Sequence, residues 1–202
     1  MVRGLIRCGA AALALGALLA GTAAAQVIKG SEARALAEQA AARLAGIETL
    51  AAHFDLMTPG GINKGEIFLD RRREAIRMEF AEPLDHLVLV NGPLIQFYGG
   101  DGTELQMATA ETPLAFLMDP EKALRENVEV LQVEKRGGDL YVAVTERNNK
   151  EKGQVVLRFA GEGGWRLTEW GTFTDDGGFT QTMLREIETG ADLDADLFRA
   201  PE

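Results

Sequence analysis

The chain has 202 residues, with 21 Lys and Arg against 31 Asp and Glu, a net charge of −10, two histidines and one cysteine. That acidity excludes a nucleic-acid partner, because phosphate contacts need cations that displace counterions. It also argues against an anionic bilayer surface, where basic clusters are the usual signal.

Residues 1–25 read as an export leader. Arg3 and Arg7 form a short positive start, residues 10–20 are apolar, and Ala23-Ala24-Ala25 is a small-residue cleavage site that makes Gln26 the expected first mature residue. The apolar run is too short for a membrane span and no second one follows. Cys8 precedes this run, so it is not placed as a lipid-attachment cysteine. Removing the leader takes away two arginines and no acids, which turns −10 into −12 for residues 26–202. The expectation is one cysteine-free periplasmic domain, held together by packing and hydrogen bonds alone.

Residues 31–46 predict an amphipathic helix, with Ser31 as N-cap and Leu36, Ala40, Leu44 and Ile47 at helical spacing. The period then changes to two. Strands are expected over residues 50–56, 65–70, 75–80, 87–90 and 94–98, with Asn91-Gly92 as a hairpin signal. Thr112-Pro113 opens a short helix over 114–118, and Asp119-Pro120 a second over 121–126. Strands resume over 128–135, 140–146, 154–160, 165–174 and 179–187, punctuated by glycines. The pattern is mainly β: a helix, then a long antiparallel meander interrupted once by helix.

Catalytic signals are missing. His53 and His86 are scattered and form no metal site. There is no nucleophile elbow, P-loop or dinucleotide fingerprint. Asp192, Asp194 and Asp196 alternate without the glycine and distal glutamate of a calcium loop, and read as a solvated C-terminal segment. The expectation is a binding protein with no cofactor and no metal; the third-ranked alternative is a hydrolase using a carboxylate pair that the sequence does not reveal.

The apolar inventory points further. A one-faced antiparallel sheet must cover its apolar face, and few helices are on hand, so the sheet must curl. Phe68, Ile76, Met78, Phe80, Leu89, Leu105, Met107 and Met183 are the candidate lining. Either they fill a barrel core or they line an open cavity suited to a greasy ligand. For Phe68 the parity is open, since Ile67 and Leu69 compete for the same face.

In this order, the segments resemble the periplasmic outer-membrane lipoprotein carrier family, LolA, over nearly the whole mature chain. Residues 44–50 followed by Phe54 resemble the family's first helix running into its first strand. Gly65-Glu66-Ile67-Phe68-Leu69-Asp70-Arg71-Arg72 and Arg77-Met78-Glu79-Phe80 resemble its GxFxxxRP…RFEY strand pair. Residues 88–92 with 95–98 resemble its next hairpin, and Thr112-Pro113-Leu114-Ala115-Phe116-Leu117 its TPLxLL helix. Residues 176–182 and 193–198 resemble its C-terminal stretch. Arg-Arg stands where the family has RP, and the chain ends at Glu202, where some carriers continue.

The resemblance implies an incomplete antiparallel β-barrel, a half-barrel of α+β class, with an N-terminal helix and a short helical lid over an apolar cavity. It implies a monomeric carrier for acylated lipoproteins. These would come from an inner-membrane lipoprotein-releasing ABC transporter and pass to a LolB-like outer-membrane acceptor, or to the outer membrane directly. The lid would present Leu114, Phe116 and Leu117, and the latch would be Arg71 or Arg72, with Arg73 in the same basic turn. The alternative on the same half-barrel is an envelope-stress sensor or another lipid-binding module, since fold alone does not decide function.

Overall fold

The computed structural model describes residues 25–109, 112, 114–148, 153–161, 163–174 and 176–201. All but the last residue of the expected leader, and Pro113, lie outside the described residues.

Twelve strands form one sheet: β1 (Gln26–Ile28), β2 (Thr49–Thr58), β3 (Gly61–Asp70), β4 (Ala75–Phe80), β5 (Leu87–Asn91), β6 (Leu94–Tyr98), β7 (Glu104–Ala108), β8 (Val128–Arg136), β9 (Asp139–Glu146), β10 (Gln154–Ala160), β11 (Arg166–Phe173) and β12 (Phe179–Thr189). Their order is β1-β8-β9-β10-β11-β12-β2-β3-β4-β5-β6-β7, so β1 and β7 are free edges and the barrel stays unclosed. Strands β1 and β7 go beyond the sequence reading. The first is three residues long, and the second lies in what reads as a loop.

The sheet curls. Val133, one strand in from one edge, and Ile95, one strand in from the other, belong to a single buried cluster. Register shifts between β8 and β9, β10 and β11, and β12 and β2 help, because a bulge bends its strand and raises the local twist. In β12 the shift falls between Arg185 and Glu188, with Glu186 at φ 52°.

Helix α1 (Gly30–Ala45) lies across the concave face and buries Leu36, Ala37, Ala40, Ala41 and Leu44. Alanine favours the helix and lets it approach the sheet closely. The helix starts earlier than the sequence indicates: its N-cap is Lys29, two residues before the expected Ser31 and without a side-chain capping bond, and Ser31 is inside. Two short helices follow β7, α2 (Leu114–Met118) and α3 (Pro120–Lys122), and a π-helical turn over Ala123–Asn127 leads into β8. Asp119 caps α3, accepting from the Lys122 amide at 3.0 Å.

The C-terminal residues correct the expectation of a solvated tail. Leu193 and Phe198 are buried with Ala75 in a small second cluster on the convex face, and Phe68 packs against it. The Arg77 guanidinium donates to the Leu197 carbonyl at 2.8 Å and ties the segment down. Only the aspartates suit the solvated reading; Asp194 caps its own turn through the Asp196 amide.

Candidate functional site

Strand alternation and register sort the eight residues expected to line a cavity. Ile76 pairs with Leu69 and Val90, Met78 with Ile67 and Val88, and Phe80 with Gly65. Leu105 and Met107 pair with Phe97 and Ile95. These five share the concave face. Phe68 pairs with Ala51 and Arg77, Leu89 with Arg77 and Gln96, and Met183 with Asp55 and Glu169. These three are a correction: they stand on the convex face, one residue out of phase with the apolar stripe. Phe68 serves the C-terminal cluster there, and Leu89 is fully buried beside Arg77.

The five concave residues do not act alike either. Ile76 and Met78 are buried in the main core, and Phe80 stacks edge-to-face on Phe54 with ring centroids 5.0 Å apart. Gly65 makes room for that pair: a Cβ there would stand 2.6 Å from the Phe54 ring and 1.9 Å from the Glu79 carbonyl oxygen. This part of the face is filled. Leu105 and Met107 sit on the edge strand and are 64% and 41% exposed.

The more apolar open volume lies elsewhere. A cavity of about 350 Å³ sits between α2, the π-helical turn and the ends of β8 to β11. Ala115, Phe116, Val128, Val144 and Val155 form its apolar wall, and Thr112, Asn127, Thr145, Glu146, Gln154 and Thr172 its polar rim. Sequence reasoning nominated Phe116 and missed the valines. Their signal was present as alternation in Val142, Val144 and in Val155, Leu157, but short β-branched residues drew less attention than Met and Phe. Of the other residues expected on the cavity side of the helix, Leu117 is buried in the main core and Leu114 packs at its margin.

One side chain holds the cavity's helical wall in place. Arg71 follows β3 directly. Its Nε donates to the Ile47 carbonyl at 2.7 Å and its Nη2 to the Leu44 carbonyl at 2.9 Å. Its Nη1 donates to the Leu117 carbonyl and, at 2.6 Å, to that of Met118. Leu44 lies near the end of α1, and Leu117 and Met118 close α2. Helix C-termini leave carbonyls without intrahelical partners and carry partial negative charge, so one cation satisfies both ends. Only a guanidinium has the donors and planar fork for four such acceptors. Burial pulls the Arg71 pKa down to about 10, against the opposing pull of the Asp119 carboxylate. The group therefore stays charged at neutral pH.

Arg72 is a correction to the latch expectation. It points to solvent, 3.6 Å from Asp70 and 4.0 Å from Glu48, and makes no bond to α2. Arg73 instead forms an ion pair with Asp70. At its other end, α2 is approached through Thr109, whose amide donates to the Pro93 carbonyl at 2.9 Å and whose hydroxyl donates to that of Gly92 at 3.0 Å. Among the described residues, no group of three or more His, Cys, Asp or Glu is placed to hold a metal, and no helix is long and apolar enough to cross a membrane.

Comparison with known proteins gives a family and a shared fold. The family model described as "Outer membrane lipoprotein carrier protein LolA" matches residues 45–201. No curated protein sequence matches. Among solved structures, an uncharacterized conserved protein from Thermus thermophilus superposes with TM-score 0.54 at 10% identity, covering 83% of this chain and 95% of that one. MucB superposes with TM-score 0.51 at 17% identity, covering 83% of this chain and 63% of that one, so the likeness leaves over a third of MucB unmatched. The Mycobacterium tuberculosis lipoprotein LppX gives TM-score 0.49 at 10% identity, over 82% of this chain and all of that one (100%).

Proposed function

The chain belongs to the LolA family of outer membrane lipoprotein carrier proteins, and from that premise we propose that it binds the acyl chains of lipoproteins in the periplasm and carries them toward the outer membrane. The observation that carries this reading is the apolar cavity roofed by α2, whose closing helix is bonded by one half-buried arginine, Arg71. Burying methylene groups is worth about 0.8 kcal/mol each, so an acylated protein does not cross an aqueous gap unshielded.

The size of the cavity adds a condition. At about 30 Å³ per water-sized group, its 350 Å³ holds on the order of a dozen methylenes. Several acyl chains need more, so α2 acts as a lid that lifts to admit cargo. The lid gives the carrier two states, and a ligand that binds the open state better shifts the population toward it. Release then needs only that the closed state be regained as cargo leaves. The donor in this reading is an inner-membrane lipoprotein-releasing transporter. The acceptor is an outer-membrane protein or the outer membrane itself.

The test is binding of anthroyl-labelled palmitate to the purified protein, with displacement by a tripalmitoylated peptide. Saturable binding is expected, and Val155→Phe should weaken it on the order of tenfold, by filling the wall, while leaving the fold intact. Folded protein that binds neither probe overturns the reading. Native mass spectrometry of protein taken from the periplasm separates the alternative: a sensor keeps a protein partner where a carrier keeps acylated cargo.

A further inference from the structure

The latch arginine sits at the start of a four-residue turn, residues 71–74, that joins β3 to β4. Such a turn has no regular ladder to aim its side chains, so something else must fix the direction of Arg71. The Asp70 side chain, the last of β3, is completely inaccessible to solvent. Its Oδ1 accepts from the Arg72 amide at 3.0 Å and the Arg73 amide at 3.3 Å, and its Oδ2 accepts from the Arg73 guanidinium. The Arg71 amide donates to the Glu48 carbonyl at 2.9 Å, which ties the same turn to the α1–β2 connection.

A buried carboxylate costs free energy unless it is paired, and this one commits both oxygens to the turn that carries the latch. We propose that Asp70 is the positioning residue of the latch: its carboxylate, neutralised by Arg73, clamps residues 70–73 so that the Arg71 guanidinium spans the ends of α1 and α2. The proposal rests on the reading of α2 as a lid. In this arrangement the three consecutive arginines have three different jobs. Arg71 reaches the helices, Arg73 neutralises the clamp, and Arg72 contributes mainly its amide. A guanidinium aimed by a fixed turn loses little freedom when it closes four bonds, whereas one on a loose turn must be ordered each time the lid shuts.

The experiment measures two rates on the purified protein: amide hydrogen exchange at residues 115–118, and dissociation of anthroyl-labelled palmitate. The variants are Arg71→Leu, Asp70→Asn, Arg73→Gln and the double variant Asp70→Asn/Arg71→Leu. Arg71→Leu should raise both rates on the order of tenfold, as expected for losing charge-assisted bonds. Asp70→Asn should raise them several-fold and Arg73→Gln somewhat less, with no change in which amides respond. In the double variant the Asp70 substitution should add nothing, because it acts through Arg71; a merely structural aspartate would lower stability in either background.

Wild-type rates in both Asp70→Asn and Arg73→Gln, beside an altered Arg71→Leu, overturn the positioning role and leave the lid reading standing. The same holds if the effects of Asp70→Asn and Arg71→Leu multiply. Unchanged rates in Arg71→Leu overturn the lid reading itself, and the proposal with it. Should Asp70→Asn fail to fold, Arg73→Gln alone and combined with Arg71→Leu decides the question by the same rule.

Discussion

The two ends of the sheet use one apolar face in opposite ways. On β2 to β6, large side chains meet across the curl and pack tightly: Phe54, Ile67, Ile76 and Ile95 are at most 1% exposed. On β8 to β11, Leu140, Leu157, Phe159 and Leu167 are packed as tightly, but toward α2 the wall is Val128, Val144 and Val155, and a cavity lies beneath α2. The difference is one of side-chain size against a common backbone. Bulk fills the first half and the far part of the second, and its absence beneath α2 leaves a cavity. A cavity lowers stability and must be offset by packing elsewhere.

The sharpest way to break this comparison is to truncate one wall residue in the filled part and one at the cavity. Phe54→Ala should cost about 3–5 kcal/mol in urea unfolding, because it empties a fully buried ring site. Val155→Ala removes two partly exposed methyls from a wall that already faces space, and should cost about 1 kcal/mol or less. Equal losses at the two sites would mean that the halves are packed alike.

Acid probes the boundary where the latch turn meets the filled half. Burial by itself would raise the Asp70 carboxyl, but the side-chain and backbone hydrogen bonds and charge of Arg73, with the charge of Arg72, hold it below the usual range. A depressed carboxyl contributes its stabilisation fully above the unfolded value, about 3.9, and loses it as pH falls through the lower folded value. Carbon-detected NMR titration should therefore give Asp70 a midpoint below about 3.9. Palmitate release should quicken only as pH drops through that region. A midpoint at or above the ordinary value would remove the clamp.

The smallest effects are expected where exposed residues lie outside both halves' packing. Arg72→Leu and Leu105→Ser should each change stability by no more than about 0.5 kcal/mol, and neither should alter palmitate affinity. Thermal unfolding and probe titration check both. Weaker binding in Leu105→Ser would extend the site to the free edge at β7.

Most elements were legible in the sequence because they rest on local regularities. Period-two alternation marks β4 and β6 to the residue, Ala-rich helical spacing marks α1, and the Thr-Pro start followed by Leu114 marks α2. The mainly β, half-barrel class followed from too few helices for the apolar face, and from the motif order that resembles the carrier family. Alternation also names two faces for every strand, but it does not say which face is inside. Phe68, Leu89 and Met183 look like lining residues until register places them opposite Arg77, Gln96 and Glu169. Nor does it say which part of a correct face stays empty, because a cavity is the volume left over when distant segments have packed. Three arginines in a row are equivalent as sequence. Only the tertiary structure singles out Arg71 for the ends of α1 and α2, because the carbonyls it bonds come from residues 24 to 47 positions away and meet nowhere but in the fold.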